Sequence, residues 1–139
     1  MNIIIGSDHA GFLLKEKLIE YLETKKYKVY DIGCLDGERC DYPIYANKLC
    51  DSVINNQCFG ILICGSGIGM SMAANRHNGI RCALCYNTYA AKMARSHTNA
   101  NVLALGERVI GSDLAINIVE KFLTEPFIGG HYQIRLELF

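Results

Sequence analysis

The chain has 139 residues, with 14 Lys+Arg balanced by 14 Asp+Glu. That length suits one domain with an ordinary core, and the charge balance excludes a global basic field for nucleic acid. No apolar run is long enough to span a membrane, and Met1-Asn2-Ile3-Ile4-Ile5-Gly6, without a basic leader, reads as a strand and not a signal peptide.

In chain order, apolar runs and turn residues predict a strand over Asn2–Gly6 and a helix over Gly11–Thr24. In that helix Phe12, Leu14, Leu18, Ile19 and Leu22 form one apolar face, with Lys15, Glu16, Lys17 and Glu20 opposite or flanking. A strand follows over Lys28–Ile32 and a helix over Ile44–Asn55. Ile61, Leu62 and Ile63 mark a buried strand over Gly60–Cys64. Next come a helix over Gly69–Arg76, a strand over Arg81–Cys85, a helix over Thr88–His97 and a strand over Asn101–Ala104. The final helix, Ser112–Leu123, is expected to be capped by Ser112 or Asp113 and is followed by Pro126. The tail, 127–139, has mixed character and packs on its own subunit or on a neighbour.

Alternating strands and helices without a linker imply a parallel sheet covered on both faces. The expected fold is α/β: one domain over 1–139, a three-layer α/β/α sandwich on a five-stranded parallel, Rossmann-like sheet. Such sheets bind ligands beyond the strand C-termini. That edge would carry Asp8 and His9, Cys64 to Gly69, and the segment after Cys85.

The most informative stretch is Gly60 to Arg76, Gly-Ile-Leu-Ile-Cys-Gly-Ser-Gly-Ile-Gly-Met-Ser-Met-Ala-Ala-Asn-Arg. A strand, a glycine loop and a helix N-terminus point unpaired N–H groups outward, which suits an anion. Cys64 enters that loop, where N–H dipoles favour a thiolate that acts as base or nucleophile. Gly65-x-Gly67-x-Gly69 matches a dinucleotide fingerprint only loosely, because the following strand ends without an acid. Neither glycine loop has the Gly-Lys-Ser/Thr of a phosphate-binding P-loop.

Asp8-His9 reads either as an acid/base pair or as a helix cap followed by a packed histidine. His97, after a helix, reads as a C-terminal cap. His77 and Arg76 solvate a helix end, and Arg108 and Arg135 say little alone. Grouped on one edge, these residues would supply a thiol base, glycine amides for an oxyanion, two histidines, a carboxylate and cations for phosphate. Proton abstraction beside a carbonyl needs that set.

The 7 cysteines form no secreted framework, so reduced thiols in a cytoplasm are expected. Cys82 and Cys85 stand three apart in a strand, point to opposite faces, and cannot share one metal. Cys34, Cys40, Cys50 and Cys58 read as packing residues or surface thiols.

The sequence resembles the B-type ribose-5-phosphate isomerases, a family that includes the galactose-6-phosphate isomerase subunits. The resemblance runs along nearly the whole chain. It rests on Gly6-Ser7-Asp8-His9-Ala10-Gly11-Phe12, Asp41-Tyr42-Pro43, Cys64 to Asn75, Gly79-Ile80-Arg81, and Asn101-Val102-Leu103-Ala104-Leu105-Gly106-Glu107-Arg108.

The resemblance implies interconversion of ribose 5-phosphate and ribulose 5-phosphate, in the pentose phosphate pathway, without metal or cofactor. It implies that Cys64 removes the C2 proton and that amides of Gly65, Gly67, Ile68 and Gly69 stabilise the enediolate. Ser66 would help move a proton between O1 and O2, and His97, with Asp8 nearby, would assist ring opening. His9, Arg108 and Arg135 would hold the phosphate or the sugar hydroxyls. It also implies a homodimer or a tetramer with shared sites, His97 and Arg108 coming from the partner and the tail, 127–139, lying at the interface.

One branch of the family has a glutamate base just after the glycine loop. Met70 stands there and cannot take a proton, which leaves Cys64. The chain departs from the pattern at Thr98, where Asn is usual; Asn99 takes that part only if the loop shifts. It departs again at His131, where the tail usually has Arg. Histidine titrates near neutrality whereas arginine does not. Other readings are a hexose 6-phosphate isomerase of galactose or allose type, a non-catalytic sugar-phosphate binding protein, and a nucleotide-binding module. The expected partner is a small sugar phosphate, with no nucleic acid or membrane.

Overall fold

The computed structural model describes residues 1–139. Five strands form one parallel sheet: β1 (Asn2–Ser7), β2 (Lys28–Asp31), β3 (Phe59–Cys64), β4 (Cys82–Leu84) and β5 (Val102–Gly106), in the order β2-β1-β3-β5-β4. Six helices accompany them: α1 (Phe12–Thr24), α2 (Tyr42–Asn56), α3 (Ile68–Ala74), α4 (Thr88–Ser96), α5 (Ser112–Thr124) and α6 (His131–Leu136). The expected α/β sandwich is present. No helix is long and apolar enough to cross a membrane.

The central strands are apolar on both faces because helices cover both. Ile61 and Ile63 of β3 enter one core with Leu14, Leu18, Leu22, Ile118 and Phe122 from α1 and α5. Leu62 and Cys64, one residue out of phase, enter the other with Leu49 and Val53 of α2 and Met70 of α3. This is period-2 alternation with two buried outlets. Each fully buried Leu or Ile contributes about 1.5–3 kcal/mol. Cys85 belongs to the first core and Cys82 packs against the second, so the two thiols do lie on opposite faces. Burial holds both thiols well above the usual range, Cys85 at about 12. Neither is a reactive thiolate.

The structure corrects three local expectations. Lys15 is not on the polar side of α1 but has no exposure at all. Its ammonium pairs with Asp31 at the end of β2, has Glu16 at 3.1 Å, and lies 5.2 Å from the Phe12 ring centroid. Neither Ser112 nor Asp113 caps α5; Gly111 holds the cap position with no side-chain bond, and Asp113 can act only through the helix dipole. The tail is partly ordered as α6, and α2 begins two residues early because Pro43, lacking an N–H, fits a first helical turn.

The buried lysine gives a stability prediction. Asp31→Ala leaves the ammonium with only the half-exposed Glu16 and should cost about 3 kcal/mol. The double change Lys15→Met with Asp31→Ala removes both charges and should recover most of that loss. Urea unfolding of the two variants measures the difference; equal losses would show that the ion pair itself, and not an unpaired charge, sets the cost.

Candidate active site

Connections change direction between β1 and β3. β1 leads outward to β2, whereas β3 lies on its other side with β5 and β4 beyond. The loops after these two strands therefore diverge and leave a crevice at the strand C-termini. An open cavity of about 450 Å³ occupies it, lined among others by Asp8, His9, Tyr42, Cys64, Ser66 and Arg108. A larger cavity of about 770 Å³ opens at the other end of the strands, by Arg81, Asn99 and Asn101. It contains none of the thiol-loop residues, so its size does not make it the reacting centre.

Cys64 ends β3 and is only 5% exposed. The Gly67 N–H donates to its Sγ at 3.1 Å. That contact needs glycine twice over. Gly67 has φ +81°, and a Cβ there would stand 2.6 Å from Leu84 Cδ1 and 2.9 Å from the Leu105 carbonyl. Ser66 Oγ accepts the Ile68 N–H at 3.2 Å, and the Ser66 carbonyl accepts the Tyr86 hydroxyl at 2.8 Å. Gly69 lies under the Tyr42 ring, where a Cβ would come within 2.7 Å of Cζ. Gly65, Gly67, Ile68 and Gly69 thus form a loop pinned at several atoms.

The loop is also tied to β5. Glu107 N–H donates to the Cys64 carbonyl at 3.0 Å and Arg108 N–H to the Gly65 carbonyl at 3.0 Å. Gly106 allows that approach, because a Cβ there would meet the Ser66 carbonyl oxygen at 2.4 Å. The Arg108 guanidinium consequently lies over Gly65 of its own chain. This overturns the expectation that Arg108 serves a partner's thiol: β5 neighbours β3, so the turn after β5 faces the cysteine loop in cis.

Asp8 is the cap of a short 3-10 turn over His9–Gly11. Its Oδ1 accepts the Ala10 and Gly11 N–H groups at 2.9 and 3.1 Å. The cap is therefore present, whereas the histidine that follows it is exposed and not packed. His9 sits at the cavity wall with Nδ1 within 3.2 Å of the Cys40 carbonyl and 3.3 Å of the Cys40 N–H.

The remaining expected residues lie elsewhere. α4 starts beyond the end of β4 and runs back along the sheet for ~13 Å. His97, its C-cap, therefore reaches the N-terminal edge, with strands of roughly 16–20 Å between it and Cys64. The grouping of both histidines on one edge fails for this reason. The His97 ring stacks on Tyr132 at 4.1 Å, His131 packs on Tyr132 at 4.0 Å, and Arg135 lies 5.8 Å from the same ring. The Ile128 N–H donates to the Ser96 carbonyl at 3.0 Å and fastens the tail to α4. Asn99 turns away altogether: its Oδ1 accepts from Arg95 at 2.8 Å and its carbonyl from Arg81 at 3.0 Å.

One chain thus carries two separate clusters. One edge has a thiol, a pinned loop, a carboxylate, an imidazole and a guanidinium; the other has two imidazoles and a guanidinium around Tyr132. Tyr42, Tyr86, Glu107 and Tyr132 carry no assignment from sequence. Tyr42 lies in the Asp-Tyr-Pro block, which was the one signal for it. Glu107 Oε2 accepts the Leu14 N–H at 2.8 Å and ties α1 to the same turn as Arg108.

The family described as Ribose/Galactose Isomerase matches residues 3–139. The ribose-5-phosphate isomerase B of Escherichia coli is 43% identical over 98% of this chain and 92% of its own. The solved ribose-5-phosphate isomerase B of Clostridium thermocellum is 46% identical with a TM-score of 0.98, over 99% of this chain and 94% of that one. That of Mycoplasma genitalium, with bound ribulose-5-phosphate, is 42% identical with a TM-score of 0.93, over 99% and 92%. The chain belongs to the ribose/galactose isomerase family.

Proposed function

We propose that this member of the ribose/galactose isomerase family interconverts D-ribose 5-phosphate and D-ribulose 5-phosphate through an enediolate, as a step of the pentose phosphate pathway. The observation that carries the reading is Cys64 Sγ, held by the Gly67 N–H in a cavity shared with Asp8, His9, Ser66 and Arg108. The names of the relatives support the pentose phosphate.

Cys64 takes the C2 proton of the open-chain aldose. The C–H electron pair forms the C1–C2 double bond, and charge moves onto the C1 oxygen. N–H groups of the pinned Gly65–Gly69 loop stabilise that charge, those of Gly67 and Ile68 turning to it from Cys64 Sγ and Ser66 Oγ. Ser66 relays a proton between O1 and O2, and the proton held at sulfur returns to C1. Arg108 and His9 hold the phosphate or the hydroxyls from the same chain, and Asp8 keeps His9 and its turn in place.

A second copy completes the site. The edge around Cys64 exposes Ile68, Met72 and Val109, by 50%, 68% and 51%. In a homodimer, or a tetramer built from one, this edge receives the partner's His97 for ring opening and its His131 and Arg135 for phosphate. Asn99 stays with Arg95 and takes no part.

The test is incubation of the pure protein with ribose 5-phosphate while following ketose formation. Turnover is the expected result. Binding without turnover selects a sugar-phosphate sensor, and turnover of only galactose or allose 6-phosphate selects the hexose reading. Because a thiol and amide donors supply the chemistry, exhaustive dialysis against a chelator should leave kcat unchanged. A loss reversed by one divalent ion would refute that expectation.

A further inference from the structure

Tyr86 touches the loop of the candidate site without lining its cavity. It stands two residues beyond β4 and is fixed from both sides. The N–H of buried Cys85 donates to the Ala104 carbonyl at 3.2 Å, and Asn87 caps α4 by accepting the Ala90 N–H at 2.8 Å. From there the Tyr86 hydroxyl crosses the end of β5 and donates to the Ser66 carbonyl at 2.8 Å. That carbonyl presses against Gly106, where a Cβ would stand 2.4 Å from its oxygen, and no loop N–H donates to it. The Ser66 carbonyl and the Gly67 N–H belong to one peptide group, and that N–H donates to Cys64 Sγ at 3.1 Å.

We propose that Tyr86 is a positioning residue for the Cys64 thiolate, because its hydroxyl fixes and polarises the Ser66–Gly67 peptide that holds the sulfur. A peptide group is planar, with its C=O and N–H pointing in opposite directions. Fixing the oxygen therefore aims the hydrogen. Donation to the carbonyl also draws electron density away from the N–H and makes it a stronger donor, so the two bonds in series reinforce each other. An N–H that donates to the charged form of a group favours that form.

The same peptide serves both halves of proton transfer. Once the sulfur has taken the C2 proton it is neutral and needs the Gly67 N–H less, while the new oxyanion needs it more. With its oxygen tied to Tyr86, the peptide turns its N–H toward that charge and does not swing away. Tyr86 thus acts on the base first and on the oxyanion second, and never touches the sugar. Tyr86→Phe keeps the ring and removes the bond. One lost neutral hydrogen bond corresponds to a fall in kcat of about two- to tenfold. KM holds, because Arg108 and His9 lie outside this peptide.

The effect on kcat rests on the isomerase reading above; the effect on the sulfur does not, so the two are measured separately. The unsubstituted protein, Tyr86→Phe and Tyr86→Ala are alkylated with iodoacetamide across a range of pH, and Cys64 labelling is followed by mass spectrometry of its peptide. Buried Cys85 stays unlabelled in a folded chain and checks folding in the same digest. Turnover of ribose 5-phosphate is measured alongside. In Tyr86→Phe the Cys64 labelling profile is expected to move to higher pH, with kcat lowered about two- to tenfold at unchanged KM. Superimposable Cys64 profiles for Tyr86→Phe and the unsubstituted protein overturn the proposal, and a loss confined to Tyr86→Ala then assigns Tyr86 to packing alone. A shifted profile with unchanged kcat overturns its part in turnover. A shifted profile with no turnover even in the unsubstituted protein counts against the isomerase reading and leaves the positioning of Cys64 standing.

Discussion

Cys64→Ala is expected to lower kcat by about two to four powers of ten, the worth of a positioned proton-transfer group, without unfolding the protein. The other basic groups of the cavity are engaged elsewhere, His9 Nδ1 by the Cys40 backbone at 3.2 and 3.3 Å. Asp8 is the single acid in its lining, and its Oδ1 is already occupied by two N–H groups. Met70 is fully buried in the core and accepts no proton. The substitution removes one sulfur and leaves the Gly67 N–H without its acceptor, which costs about 1–3 kcal/mol. Cys64→Ser separates the two losses, because the hydroxyl can still accept that N–H but is a far weaker base. Both variants should lose kcat, and only alanine should lose stability. Steady-state kinetics and denaturant midpoints give both quantities. A Cys64→Ala protein with near-normal kcat would remove Cys64 from the chemistry.

Strand and helix identities were legible because β3 and its neighbours follow simple periods. Ile61 to Cys64 are continuously apolar, which only a sheet covered on both faces permits. The cysteine loop was legible as well, since Gly67 and Gly106 answer steric demands that no other residue meets. Lys15 was not. Its position on α1 looks flanking until β2 places Asp31 beside it, a contact that joins residues of separate elements. The expected cap of α5 failed because Ser112 is already helical. The residue types of the candidate site were legible, and their division between the two ends of the sheet was not. Sequence order does not reveal that β5 inserts between β3 and β4 and brings Arg108 over Gly65. Nor does it reveal that α4 carries His97 to the far edge, where Tyr132 of α6 gathers it with His131 and Arg135.

Mixing Cys64→Ala with His97→Ala protein, each inactive alone, is expected to restore about one quarter of the unsubstituted activity. The number follows from two-fold symmetry. Random exchange makes half of the dimers hybrids, and in each hybrid one pocket carries both lesions and the other neither. The reason to expect it is geometric, because Cys64 and His97 of one chain stand at opposite strand ends. Arg108 supplies the control. It lies over Gly65 in the same chain, so its loss and the loss of Cys64 strike the same pocket. In a hybrid of Cys64→Ala with Arg108→Ala, every pocket carries one lesion, and mixing should restore nothing beyond the residual activity of either variant. The pair of mixtures also distinguishes the two assignments of Arg108. Were it donated by the partner, both mixtures would recover activity to the same extent. Subunit exchange is verified by co-purification of differently tagged chains. If chains exchange and the first mixture stays inactive, each pocket is completed within its own subunit and the shared site is wrong.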